Sequence, residues 1–151
     1  MNVHTFALTV SAPRDAVFNF LANIENLPRW AGGYCERVYL QRGDWWALTG
    51  DGELMLDLSA DSRAGVIDLR SGPTAERMNY TPIRVLGLSP RRTLVSFMVI
   101  EAPDQSARAC ERRFVMLRDS AETLLARFGG GELHGATEPL SAAALPELGL
   151  N

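Results

Sequence analysis

Lysine is missing from this 151-residue chain, and all 15 basic residues are arginine. That absence excludes a Schiff-base lysine and the lysine of a phosphate-binding loop. Histidine and cysteine are scarce, at two each. His4, Cys35, Cys110 and His134 are the whole supply of soft metal ligands, and no two stand at ligand spacing. Neither a metal nor a cofactor is therefore expected. Met1-Asn2-Val3-His4 lacks the basic start and apolar run of a signal peptide. The expectation is a cytoplasmic protein with two reduced, buried thiols. No apolar run approaches the length of a membrane span. A basic patch is lacking too: the net charge is −3 and the arginines are scattered, adjacent only at Arg91-Arg92 and Arg112-Arg113. Nucleic acid is not an expected partner.

What is present reads as one globular domain, with 46% hydrophobic and 22% charged residues. Phe6, Leu8 and Val10 alternate with Thr5, Ala7 and Thr9, a period of two that predicts a half-buried strand over 4–11. Pro13 suits the first turn of a helix, and Asp15 complements its positive end. Val17, Phe20, Leu21 and Ile24 form one apolar stripe. Pro28 favours an extended Leu27, so this helix should stop near Glu25 or Asn26. A short turn from Pro28 then carries Trp30.

From Tyr34 to Glu101 the pattern predicts strands at 34–42, 44–50, 53–60, 64–71, 77–88 and 93–101. Connections as short as Arg42-Gly43-Asp44 and Gly50-Asp51-Gly52 make an antiparallel meander. Pro82, inside a strand, should mark an edge or a bulge. After Pro103, Cys110, Phe114, Leu117, Ala121, Leu124, Leu125 and Phe128 define a long amphipathic helix. Asp104 or Ser106 can cap it, and Gly129 to Gly131 end it. Residues 129–151, including "PLSAAALPELGL", read as a loosely held C-terminal tail.

The order β, two short helices, six β, one long helix resembles the SRPBCC superfamily, also called START-like or helix-grip proteins, which includes polyketide cyclases. The resemblance covers roughly residues 3 to 128, through "VSAPRDAVFNFLANIENLPRWAGG", "GVIDLR", "TPIRV" and the terminal helix. It implies an α+β helix-grip domain over 1–128: a seven-stranded curved antiparallel sheet around the C-terminal helix. It also implies a cavity for an apolar or amphipathic small molecule, because one helix cannot fill the hollow of so wide a sheet.

Asp68 in "GVIDLR" and Arg84 in "TPIRV" are expected on neighbouring strands. If Val66 faces the cavity, Asp68 does too, and the pair would orient a polar group of the ligand. The competing reading is a surface ion pair. Trp30 and Tyr34 are placed at the pocket mouth, and at most one of Trp45 and Trp46 faces inward. With Trp45, Phe97, Phe114 and Leu117 these residues complete the expected ligand-contacting set. Binding of a small hydrophobic or amphipathic molecule leads. A cyclase or dehydratase using the same cavity is the alternative, with Asp68 accepting a proton and Arg84 stabilising an enolate. A protein-interaction module is the third reading, and a homodimer is left open.

Overall fold

The computed structural model describes residues 2–102 and 104–135. Its elements are β1 (Val3–Val10), α1 (Arg14–Ala22), a 3-10 turn (Ile24–Asn26), α2 (Leu27–Trp30), β2 (Arg37–Gln41), β3 (Asp44–Thr49), β4 (Gly52–Asp61), β5 (Val66–Thr74), β6 (Arg77–Ser89), β7 (Arg92–Ile100), α3 (Ala107–Arg127) and β8 (Gly131–His134). The strands form one sheet in the order β2-β3-β4-β5-β6-β7-β1-β8, and every neighbouring pair is antiparallel.

Eight strands, not seven, are thus present among the described residues, and the extra one falls in the segment expected to be a loose tail. Its cause is local. Gly129 and Gly130 adopt φ 79° and 87°, a left-handed conformation that turns the chain sharply at the end of α3. The chain then runs back along the free edge of β1, pairing Ala7 with His134 and Val10 with Gly131. A Cβ on Gly131 would lie 1.8 Å from the Thr9 carbonyl oxygen, so only glycine permits this approach. "PLSAAALPELGL" lies outside the described residues.

The helix pair departs from expectation at Leu27, which is α-helical (φ −52°, ψ −45°) although a proline follows it. Three local gains outweigh the steric preference. Asn23 caps the 3-10 turn by accepting from the Glu25 N–H at 3.0 Å, Pro28 sits in the first turn of α2, and Leu27 becomes buried. The inward face of α1 is Val17, Phe18 and Leu21. Phe20 instead turns toward the end of α3, edge-on to Phe128 at 5.5 Å, with the Arg127 guanidinium 4.0 Å from its ring. This contact braces the C-terminal end of α3.

Pro82 sits where β6 is partnered on one side only. Residues Ser71 to Val66 of β5 pair with Asn79 to Arg84, but the ladder to β7 begins at Ile83 opposite Phe97. The missing N–H therefore costs β6 no bond to β7, and the two strands part at this end.

One face of the sheet is buried. Phe6, Leu8 and Val10, Ile67 and Leu69, Ile83 and Val85, and Val95, Phe97 and Val99 point inward. α3 packs over β1 and β7, while α1 covers parts of β4, β6 and β7. Ser106 caps α3 by accepting from the Ala109 N–H at 3.1 Å. Twenty-one residues give α3 a length of about 32 Å. The middle of the interior is filled by rings: Phe6 stacks on Phe97 at 4.8 Å, Phe114 meets Phe6 edge-on at 5.9 Å, and Trp30 lies 5.7 Å from Phe97.

Truncating this cluster should be costly. Phe97→Ala is expected to lower unfolding free energy by about 3–5 kcal/mol in urea titrations, whereas Leu86→Ala, at an exposed position, should change it by less than about 0.5 kcal/mol.

Candidate functional site

The space left inside lies at one end. There the β3–β4 turn (Thr49 to Asp51), Leu54, Asn79 and Tyr34 face the first half of α3, which contributes Ala109, Arg112, Arg113 and Met116. The cleft between them encloses about 310 Å³. It exists because α3 is seated over β1 and β7, while β3 and β4 curl round to its far side. Gln105, in the turn before α3, closes the floor.

Tyr34 is expected in strand and is found instead in the turn leading to β2, with its N–H donated to the Ala31 carbonyl at 2.9 Å. It is 9% exposed, and its hydroxyl hydrogen-bonds the buried Ser71 hydroxyl of β5. Burial raises the Tyr34 pKa above its usual 10.0, against the smaller opposing effects of Ser71 and the Arg113 cation. The phenol is therefore neutral at physiological pH and can donate a hydrogen bond.

Arg113 is the charged group that the cleft is built around. It is 5% exposed. One terminal nitrogen donates to the Ile100 carbonyl at 2.7 Å and the other to Gln105 Oε1 at 3.2 Å. Its Nε is buried and has no hydrogen-bond partner among the described residues. Nor is a carboxylate paired with it there. Asp104 pairs with Arg77 at 2.8 Å, and Glu101 accepts the Asn2 N–H at 2.8 Å. Burial lowers the Arg113 pKa, because removing a cation from water disfavours its charged form. A guanidinium nevertheless stays protonated near neutral pH. The site thus holds a poorly compensated buried positive charge, which costs free energy to keep.

Asp68 and Arg84 do meet, at 3.0 Å, but on the outer face of the sheet. Ile67, Leu69, Ile83 and Val85 take the inward positions, so Asp68 and Arg84 point away from the core. The Arg84 side chain is 45% exposed and that of Asp68 19%. Burial acts to raise the Asp68 pKa, but Tyr80 and Arg84 outweigh it and hold the carboxyl below its usual 3.8. The same face carries Asp57, Arg70 and Tyr80 opposite one another across β4, β5 and β6, with the Arg70 guanidinium 4.5 Å from the Tyr80 ring. This corrects the placement of the pair inside the pocket: its geometry is a cross-strand surface ion pair.

Trp30, Phe97, Phe114 and Leu117 are 2% exposed or less and pack in the core, so the structure places none of them on this cleft. Trp45 packs against the core, while adjacent Trp46, opposite Met55, faces the other way. Trp45 also borders a wider, more polar recess at the opposite end, with Asn23, Asp44 and Asp57. Of the expected set, Tyr34 alone lines the cleft. Arg113, Gln105, Asn79 and Met116 were missed. A signal for Arg113 existed: it is three residues after Cys110 and four before Leu117, on the apolar stripe itself.

Neither a family model nor a curated protein matches the sequence. Solved structures do match. A START superfamily protein from Mycobacterium smegmatis superposes with a TM-score of 0.63 at 12% identity, covering 84% of this chain and 97% of that one. The Zhui aromatase/cyclase from Streptomyces sp. R1128 gives 0.60 at 19% identity, covering 83% and 89%. An HSP90 activator from Plasmodium falciparum gives 0.60 at 8% identity, covering 87% and 98%. The chain has the START-like, helix-grip fold. START-like neighbours described in such different terms show that this architecture alone does not fix an activity.

Three buried groups of this helix-grip domain make its stability fall at high pH. Burial pushes the Cys35 thiol from 9.0 up to about 11, and it raises Cys110 and Tyr34 above their usual 9.0 and 10.0. Each is protonated in the folded state at pH values where the unfolded chain has already lost the proton. The stabilisation is complete below the unfolded pKa and is lost as pH rises toward the folded one. Urea midpoints should fall from about pH 9 upward. Cys35→Ala should lessen the loss between pH 9 and 11, and Tyr34→Phe the part that begins near pH 10. A flat profile to pH 11 would contradict these assignments.

Proposed function

We propose that this protein binds a small amphipathic molecule in the cleft between the first half of α3 and the β3–β4 turn. The observation that carries the reading is the pairing of apolar walls with a few convergent polar groups. Leu54, Ala109 and Met116 supply apolar surface, while Tyr34, Asn79 and Gln105 supply donors and acceptors. Binding sites for small molecules have this composition, and about 310 Å³ falls at the lower end of their usual volumes. Covering about 200 Å² of apolar ligand surface would contribute roughly 5 kcal/mol before association costs, a basis for weak to moderate affinity.

Binding without catalysis fits the chemistry better than a cyclase or dehydratase does. Proton abstraction needs a base near the reacting carbon, with a pKa close to the working pH. Among the described residues the carboxylate lining the cleft is Asp51, which is exposed. Tyr34 is held neutral, and Asp68 lies on the far side of the sheet. The START superfamily protein and the aromatase/cyclase that share the fold are compatible with a ligand in this space, and the Tyr34 and Arg113 donors are suited to holding a carbonyl.

Screening a small-molecule library by thermal shift tests this reading. Ligands that raise Tm should do so through the cleft, so Met116→Trp, which fills it, should abolish the shift while leaving the folded spectrum intact. Arg84→Ala should leave the shift unchanged and cost less than about 1 kcal/mol of stability, as for an exposed pair. Ligands that respond to Arg84→Ala and ignore Met116→Trp would move the site to the outer face.

A further inference from the structure

Resting on that reading, we infer that the ligand is an anion, a carboxylate of about ten non-hydrogen atoms whose charged head meets Arg113 while its apolar body lies against Leu54 and Met116. Size follows from volume. At ~30 Å³ per non-hydrogen atom, the share of a molecule in liquid water, a cleft of about 310 Å³ holds about ten.

The sign of the charge follows from what surrounds Arg113. A buried guanidinium is ordinarily compensated by a carboxylate, and truncating such a pair leaves a costly unpaired charge. Here the side chain is 95% buried and lines the cleft, and its hydrogen bonds go to neutral oxygens, those of Ile100 and Gln105. Its Nε is unsatisfied among the described residues. Arg112, exposed beside it, adds a second cation at the rim, and Asp51 is the acidic group on the opposing wall. The Tyr34 phenol lies on that wall too and is neutral; with the Ser71 hydroxyl donating to it, its own proton is left for a ligand. A carboxylate accepts from a guanidinium and a phenol together, and such charge-assisted bonds are about twice as strong as neutral ones. An alcohol would satisfy a donor without compensating the charge. An ammonium would add a second buried cation.

If Arg113 served only to tie α3 to the β7 end through Ile100, the cleft would have no preference among head groups. That difference is measurable. Octanoate, 1-octanol and octylammonium share one apolar chain and differ in the head. Titrating each into the isotopically labelled protein and following amide and methyl resonances gives both affinity and location. Octanoate should shift Tyr34, Leu54, Ala109 and Met116 and bind at least tenfold more tightly than octanol, with octylammonium weakest. Arg113→Met should erase the preference for octanoate, bringing the octanoate and octanol affinities to within about twofold of each other.

The comparison within the wild-type protein needs no variant, so a misfolded Arg113→Met would not rescue the inference. Equal binding of the three probes in the cleft overturns the anionic ligand and leaves the amphipathic-binding reading standing. Probes that shift only residues outside the cleft, or none at all, overturn both.

Discussion

A mismatch of width governs this molecule. The eight strands among the described residues, curled, present more inward surface than a single long helix can cover, and α3 is seated off-centre over β1 and β7. Something else must fill the difference, because empty apolar volume forfeits dispersion contacts and costs stability. Three rings and an indole do so in the middle: Phe6, Phe97, Phe114 and Trp30. Their packing fixes α3 against the sheet and so fixes the position of the residual space. That space falls where β6 and β7 part and where the β3–β4 turn reaches past the helix.

Arg113 makes this remnant chemically specific. It sits among Cys110, Phe114 and Leu117, positions that otherwise carry the core face of α3. Ser120 interrupts the same stripe about two turns further on, but it satisfies itself on the Met116 carbonyl at 3.0 Å. An arginine cannot do that. Its fork must reach beyond the helix, and it finds carbonyl oxygens with no formal charge. A residue on that stripe would normally be apolar, and an apolar side chain there would remove the desolvation cost. Local rules are broken in this way where a chain has a use for the break.

The architecture was legible in the sequence because it is written in periodicity. Thr-Phe-Ala-Leu-Thr-Val has one reading as a strand, and the stripe of α3 bounded by Ser106 and Gly129 has one reading as a helix. Leu27 was misread because a rule about one peptide bond was set against the burial of a whole side chain. The site was much less legible. "GVIDLR" has apolar residues at 66, 67 and 69, so either face can be taken as the inner one. Choosing Val66 rather than Ile67 as inward turned Asp68 and Arg84 into the pocket, since a slip of one residue exchanges the faces of a strand. The row of Asp57, Arg70 and Tyr80 marks the wetter face, but it becomes visible only with the pairing register. Tyr34 lies in a turn whose burial no pattern announces.

The most direct measurement is a crystal structure of the protein as purified, at a resolution that shows ordered small molecules. The account predicts density for an amphipathic occupant between Met116, Leu54 and Tyr34, with an oxygen within hydrogen-bond reach of the Arg113 guanidinium. A collapsed cleft, with Arg113 Nε donating to a protein carboxylate or carbonyl instead, would contradict it.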